Sequence, residues 1–159
     1  MSYLLSENRN HDPMGYWKPY ERYIDSVKER MPSGALRLAL LTDWYDFNCH
    51  SCPHDAWLQE FKITESESAS GHKRDNSADL KLLGAYHDGV ILLRYPRLMS
   101  FTIQAPILDG GLGDWLYDEF RLSPNGNMLH EIEWASGARW LIEADDIEFK
   151  WQPFEAEPA

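Results

Sequence analysis

Histidine and aspartate stand side by side at two places where the sequence predicts the end of a strand. His54-Asp55 precedes one predicted strand, and His87-Asp88 follows another. If the two pairs meet at one end of a sheet, they could act as a general acid–base pair or hold a divalent metal ion. In a simpler interpretation, each aspartate closes a turn and each histidine packs its ring at a strand end. We favour this interpretation and predict no catalytic residues, because no nucleophile elbow, HExxH motif or phosphate-binding loop is found.

Two thiols and two imidazoles lie close together between Cys49 and His54. This density suggests zinc, but a structural zinc site usually takes its second pair of ligands from a distant stretch, and the chain has only two cysteines. Pro53 also breaks any helix that would align His50 with His54. We therefore expect a turn that enters a strand, with no metal, no other cofactor, and no disulfide between Cys49 and Cys52.

The last third of the chain is acidic and rich in aromatic residues. Residues 114–151 contain nine carboxylates, three basic residues and seven aromatic residues. Within Met128–Trp134, apolar side chains and His130 alternate with Glu131 and Glu133, the two-residue period of a strand with one buried face. His130 is interpreted as a hydrogen-bonded core histidine, and the carboxylates are expected to face solvent. The residues predicted to bind a basic partner are Asp118, Glu119, Glu131, Glu133 and Glu143.

The charge of the whole chain follows the same bias. Its 159 residues include 15 Lys+Arg against 26 Asp+Glu, a net charge of −11 at pH 7. Such a charge repels phosphate backbones, so nucleic acid is excluded as a partner, and it attracts basic proteins. A high net charge also keeps a domain soluble. Residues 1–7 do not resemble a secretion leader, and Ala35–Thr42, the longest nearly uncharged run, is far too short to span a membrane. We therefore predict a soluble, cytoplasmic protein.

The hydrophobic periodicity predicts a single α+β domain over residues 1–159. One or two N-terminal helices are followed by a mainly antiparallel meander sheet of six to seven strands. The expected segments are a surface arm over residues 1–15, a helical segment over 16–45, the β meander over 54–151 and a tail over 152–159.

Several local patterns support this outline. Tyr20, Ile24 and Val27 fall on one apolar stripe of a helix. Ser33 could cap a second helix over residues 36–41, although that run also alternates like a strand; helix is favoured. Residues 64–77 are polar and small and predict a loop. The alternation changes phase at Asp145-Asp146, which predicts a bulge or bend in the last strand.

Short blocks of this sequence resemble small bacterial β-rich immunity-type proteins and their uncharacterised relatives. The first block is Cys52–Leu58, which reads CPHDAWL, and the resemblance extends from Pro53 to Trp151. The later blocks are Gly84–Gly89, Tyr117–Phe120 and His130–Trp134 with Ser136-Gly137. The resemblance implies a cytoplasmic protein that binds and blocks a cognate toxin, usually encoded beside it. Such families share no catalytic residues.

The leading hypothesis is therefore a non-enzymatic, immunity-type inhibitor that binds a toxin with a basic surface through an acidic, aromatic-containing sheet face. One alternative is a small metal-dependent or acid–base enzyme that uses His54, Asp55, His87 and Asp88. Another is a structural or assembly protein.

Overall fold

The N-terminal part of the chain is helical, and the remainder forms β-sheet. The structure is a computed structural model that describes residues 1–106 and 108–156. The helices are α1 (Ser6–His11), α2 (Trp17–Val27), α3 (Ser33–Leu40) and the single turn α4 (Thr42–Tyr45). The α+β class is confirmed, and the ambiguous run that begins at residue 36 is helical up to Leu40.

Within the described residues, eight strands form two four-stranded antiparallel sheets. The first sheet has the order β1-β2-β3-β8 and the second has the order β4-β7-β6-β5. The strands are β1 (Trp57–Glu67), β2 (Arg74–Leu83), β3 (Gly89–Pro96), β4 (Leu98–Gln104), β5 (Trp115–Leu122), β6 (Met128–Trp134), β7 (Arg139–Ala144) and β8 (Glu148–Pro153). The prediction of six to seven strands in one meander was wrong. Most of the run predicted as a loop over residues 64–77 also belongs to β1 and β2.

The change of phase in the last predicted strand marks the point where the chain leaves one sheet for the other. β7 pairs with β6 in the second sheet, whereas β8 pairs with β3 in the first. Asp146 lies in the connection, and its carboxylate accepts hydrogen bonds from the backbone N–H of Gly34 (3.0 Å) and Ala35 (2.9 Å). The first turn of α3 is therefore capped by Asp146, not by Ser33 as the sequence suggested.

The inner faces of the two sheets meet in one hydrophobic cluster. Ile132 and Trp134 of β6 are fully buried, as the alternation predicted. Tyr95 of β3 is also fully buried and reaches across to β6. Aromatic side chains supply much of this core because each buries a large area. Its largest fully buried side chains are Trp44, Trp115, Trp134, Tyr20, Tyr95 and Phe120.

Helix α2 closes the free edge of β5, an outer strand of the second sheet. The Tyr20 hydroxyl donates to the carbonyl of Phe120 (2.9 Å) and accepts from its N–H (3.0 Å). The Tyr23 hydroxyl accepts from the N–H of Leu122 (2.8 Å). Tyr20 and Ile24 are buried, which agrees with the predicted stripe. Side-chain hydroxyls thus satisfy backbone groups that a further strand would otherwise pair.

Among residues 1–106 and 108–156, no helix is both long and apolar enough to cross a membrane.

The tail predicted over residues 152–159 begins inside a strand. Residues 152 and 153 belong to β8, and residues 157–159 lie outside the described part.

Candidate partner-binding surface

The five carboxylates predicted to bind a partner do not form an exposed row. Asp118, Glu119 and Glu133 are buried, and Glu131 and Glu143 are partly buried. Asp118 lies opposite Ile132 and shares its inward face, whereas the four glutamates lie on the outer face of the second sheet. The expectation that Glu131 and Glu133 face solvent is wrong for Glu133, which is buried, and holds only in part for Glu131, because other parts of the same chain contact both.

Two arginines pair with three of the four glutamates on the outer sheet face. Arg121 pairs with Glu119 on its own strand and with Glu131 on β6, the latter at 2.6 Å. Arg139 of β7 pairs with Glu133 at 3.0 Å and with Glu131 at 3.4 Å. The two arginines thus offset part of the negative charge of these three glutamates, which weakens their attraction for a basic partner.

The N-terminal arm covers this charged face. The backbone N–H groups of Tyr3 and Leu4 donate to Glu119 Oε2 at 2.7 and 2.6 Å, and that of Ser6 donates to Glu133 Oε2 at 3.1 Å. Leu4 and Leu5 are fully buried. The arm expected to lie on the surface is therefore packed on the sheet, and a partner would have to displace it to reach the glutamates.

The arm is also held by an ion pair that depends on pH. Arg139 donates to Glu7 of α1 (3.1 Å), and mainly through this hydrogen bond it lowers the pKa of Glu7 from 4.5 to about 2. The pair therefore stabilises the fold above about pH 4.5, and this stabilisation is lost as the pH falls through about 2. Because Glu7 is about half exposed, we expect a contribution of at most about 1 kcal/mol.

We therefore expect Glu7→Gln to be less stable than the parent at neutral pH, by a few tenths of a kcal/mol to about 1 kcal/mol. The difference should shrink as the pH falls through about 2 and disappear below it, where Glu7 is protonated in the folded protein as well. Urea denaturation at both pH values measures it, with Glu60→Gln, a change at an exposed glutamate of β1, as the control. An equal loss of stability at both pH values would contradict the assignment.

A chain of buried polar groups crosses the core. His130 is fully buried; its Nδ1 is 2.8 Å from the Tyr95 hydroxyl and its Nε2 is 2.8 Å from Asp118 Oδ2. The indole N–H groups of Trp44 and Trp115 donate to the same carboxylate at 3.0 and 3.3 Å. The interpretation of His130 as a hydrogen-bonded core residue is confirmed. Because this chain of hydrogen-bonded side chains is enclosed in the core, its members satisfy one another's buried polar atoms.

The two predicted His-Asp pairs do not come together as one site. His54 is stacked on Phe47 (ring centroids 3.7 Å apart), and its Nδ1 is 2.6 Å from the Leu116 carbonyl oxygen. His87 rests edge-on against Trp57, with ring centroids 4.5 Å apart. Asp88 pairs with His50, a residue that the sequence did not single out for this role. His54 Nε2 is also 3.5 Å from Asp55 Oδ1, but within the described residues no hydrogen bond or ion pair joins these two residues to His87 or Asp88, so the four residues of the enzyme alternative do not form one site.

The backbone explains why aspartate and histidine occur at two of these positions. Asp55 and His87 have positive φ angles of 65° and 57°, in the left-handed region that Asp, Asn and His adopt more readily than most residues. Both therefore serve turns, which the simpler interpretation predicted for the aspartate; for the histidine it predicted ring packing, which the contact of His87 with Trp57 provides. Within residues 1–106 and 108–156, no group of three or more His, Cys, Asp or Glu side chains is arranged to hold a metal ion.

The two cysteines differ in environment. The Cys52 thiol is buried and donates to the Trp44 carbonyl (3.0 Å), and burial raises its pKa to about 12. Cys49 is half-buried, with its sulfur 3.2 Å from the Ser51 hydroxyl. Both are free thiols.

We expect a thiol reagent to label Cys49 quickly and Cys52 very slowly at mildly alkaline pH, because only the thiolate reacts and Cys52 remains protonated there. Mass spectrometry after timed labelling identifies the modified residue. In a Cys49→Ser variant, labelling should require denaturant. Equal labelling rates of the two thiols in the folded protein would contradict this expectation.

One end of the molecule instead presents an aromatic and acidic surface. We call it the end surface and define it by Phe47, His50, Asp55, Trp57, Tyr86, His87 and Asp88. Phe47, Trp57 and Tyr86 are 47%, 50% and 49% exposed. Their rings are held in place: Tyr86 stacks on His50 (4.0 Å between centroids), and its hydroxyl donates to the carbonyl of Phe47 (3.2 Å).

Sequence reasoning did not identify the end surface because its residues come from two separated connections. The segment between α4 and β1 supplies Phe47, His50 and the adjoining Trp57, and the β2–β3 turn supplies Tyr86 and Asp88. The available signal was the presence of large aromatic residues in connections that are otherwise polar, where burial does not explain them.

Comparison with known proteins provides no relative from which to transfer a function. No family model, no curated protein and no solved structure matches this chain.

Proposed function

We propose that this protein is a non-enzymatic, immunity-type inhibitor that acts in the cytoplasm and binds a cognate toxin through the end surface. The observation that carries the proposal is the set of three half-exposed aromatic side chains, Phe47, Trp57 and Tyr86, at one end of the molecule. This surface replaces the acidic sheet face expected from the sequence, which the N-terminal arm covers.

The end surface has the composition of a protein interface. Tryptophan and tyrosine dominate the energetics of protein binding because they bury a large area in the partner. The stacking of Tyr86 on His50 and the edge-on contact of His87 with Trp57 restrict these side chains before binding, so less conformational entropy is lost on association.

The charge of the end surface favours a basic partner. Asp55 and Asp88 are exposed carboxylates at this end, on a chain with a net charge of −11. Exposed carboxylates accelerate the encounter with a positively charged surface. A toxin with a basic cleft fits this requirement, whereas a nucleic acid does not.

Two of the blocks that resemble immunity-type proteins fall on this surface. The block Cys52–Leu58 contains Asp55 and Trp57, and the block Gly84–Gly89 contains Tyr86, His87 and Asp88. The resemblance and the exposed aromatic residues therefore both indicate this part of the molecule as the binding surface. Together they support the proposal of a toxin as the partner.

A binding assay with the product of the neighbouring gene tests the proposal. We expect Trp57→Ala and Tyr86→Ala to weaken binding by about tenfold or more, mainly through faster dissociation. Asp55→Asn and Asp88→Asn should slow association a few-fold at low salt and much less at high salt. Asparagine is chosen because it tolerates the positive φ of Asp55.

Met99→Ala is the matched control, since Met99 is 61% exposed but lies on β4 of the other sheet. It should leave binding unchanged. Equal losses for Met99→Ala and Trp57→Ala, or association rates that do not depend on salt, would overturn the choice of surface. An enzymatic activity that disappears in His54→Ala would favour the enzyme alternative instead.

A further inference from the structure

The outer edge of β4 carries none of the features that usually prevent a sheet edge from pairing. Within residues 1–106 and 108–156, β4 is the last strand of the second sheet and pairs only with β7, so its other edge has no strand beside it. Its sequence, LMSFTIQ, contains no charged residue, no proline and no glycine. An uncharged edge of this composition readily accepts a further strand.

The other three sheet edges are protected. The tyrosine hydroxyls of α2 close the edge of β5. β1 carries four exposed charged side chains, and β8 carries two and ends at Pro153. Charged side chains and proline are common means by which proteins prevent edge-to-edge pairing. Among the four edges, β4 is therefore the one that is open to another strand.

Two apolar side chains on the inward face of β4 are also incompletely covered. Phe101 lies opposite Ile142 of β7, and Ile103 lies opposite Trp140. Both residues of β7 are buried, and side chains directly opposite each other in an antiparallel pair share one face. Phe101 and Ile103 are nevertheless 46% and 42% exposed. A strand added beside β4 would bury part of this apolar area, which is favourable.

From the free edge and this uncovered face, we propose that β4 pairs with β4 of a second copy of this protein, antiparallel across a two-fold axis. β4 bulges at its start, so its regular part is Ser100–Gln104. A two-fold axis at Thr102 places Phe101 opposite Ile103 of the second copy, and Thr102 opposite its own counterpart. Pairs of an aromatic with a β-branched residue, and of two threonines, stabilise antiparallel strands. The second sheets of the two copies thus join into one continuous sheet.

The charge of the chain favours a second copy as the occupant of this edge. Each copy has a net charge of −11, so two copies repel each other wherever their carboxylates meet. The uncharged β4 is a place where they approach without like charges directly opposite each other. A basic partner, by contrast, would find no carboxylate on this strand.

The size of the contact predicts a weak, closed dimer. Two apolar side chains and one short strand from each copy bury less than the roughly 1,600 Å² of a standard interface, so we expect a dissociation constant on the order of 10–100 µM. Because this pairing uses the β4 edge of both copies, association stops at the dimer. The interface contains none of the residues of the end surface and does not depend on the proposed toxin inhibition.

Sedimentation velocity of the whole protein, from about 1 to 500 µM, tests the dimer across its expected dissociation constant. Ile103→Lys puts a charge on the inward face of both copies and should weaken association roughly tenfold or more. Leu40→Lys is the control, since it makes the same change of charge at a residue that is 64% exposed but lies on α3. It should leave association unchanged. Circular dichroism verifies that both variants are folded.

A pair of charges at Thr102 tests the two-fold axis itself. Thr102 is exposed and lies opposite Leu141 on the outer face of the second sheet, so the fold should tolerate either charge. Thr102→Lys and Thr102→Glu should each weaken self-association, because like charges then lie directly opposite each other. An equal mixture of the two variants should associate roughly threefold to tenfold more tightly than either variant alone.

The outcomes that would overturn the proposal are distinct. A protein that stays monomeric at the highest concentration, or that grows into larger assemblies, does not form this closed dimer. Equal losses for Ile103→Lys and Leu40→Lys would mean that net charge, and not the β4 edge, controls association. A mixture of the two Thr102 variants that associates no better than either variant alone would exclude a two-fold axis at this residue.

Discussion

Replacing Asp118 by alanine is expected to lower the free energy of unfolding by about 3–5 kcal/mol, because several buried groups lose their hydrogen-bond acceptor at once. Three donors converge on this carboxylate: the ring of His130 and the indole N–H groups of Trp44 and Trp115. Without it, these buried groups lose their acceptor in a place that water does not reach, and each then costs its own desolvation.

Chemical denaturation measures the change, and Asp79→Ala provides the matched control. Asp79 is also a strand aspartate paired with a cation, Arg94 at 3.1 Å, but this pair is solvent-exposed. Its removal should cost less than about 1 kcal/mol. An Asp118→Ala variant within 1 kcal/mol of the parent would show that the buried carboxylate contributes little, in conflict with the three hydrogen bonds.

Replacing Trp134 by alanine is expected to cost roughly 3–5 kcal/mol, because the side chain is fully buried and its loss leaves a cavity. Its ring packs between Trp115 and Trp140, with centroids 5.5 and 5.1 Å away, so neighbouring rings cannot easily close the space.

Trp134→Phe should cost much less than Trp134→Ala. Phenylalanine keeps most of the packing, and the indole N–H that it removes is buried and forms no hydrogen bond within the described residues. Urea denaturation with unchanged m values would show that both variants unfold from the same native state. Equal losses for the phenylalanine and alanine variants would mean that a specific contact of the indole, rather than buried volume, sets the stability.

The sequence by itself determined the local elements and the inward face of several of them. The two-residue period of Met128–Trp134 predicted both the strand β6 and the burial of Ile132 and Trp134, because side chains alternate across a strand. The stripe that contains Tyr20 and Ile24 predicted α2 for the equivalent reason in a helix. Such patterns depend only on neighbours in the sequence.

The partition into two sheets was decided by the tertiary structure. The change of phase at Asp145-Asp146 was visible in the sequence, but a bend within one strand and a crossing to another sheet produce the same pattern. β8 pairs with β3, which lies more than fifty residues earlier in the chain, and this pairing shows that the chain crosses to the other sheet. Local periodicity contains no information about which distant strand supplies the hydrogen bonds.

The same limit explains the misplacement of the binding surface. Alternation showed that Glu131 and Glu133 lie on the outer face of β6, but it could not show what covers that face. Leu4, which contacts Glu119 across 115 positions in the sequence, belongs to the covering arm. Phe47 and Tyr86 likewise meet only because separate connections converge at one end of the fold. Burial of a polar face and convergence of loops both arise from long-range packing, so only the tertiary structure decided them.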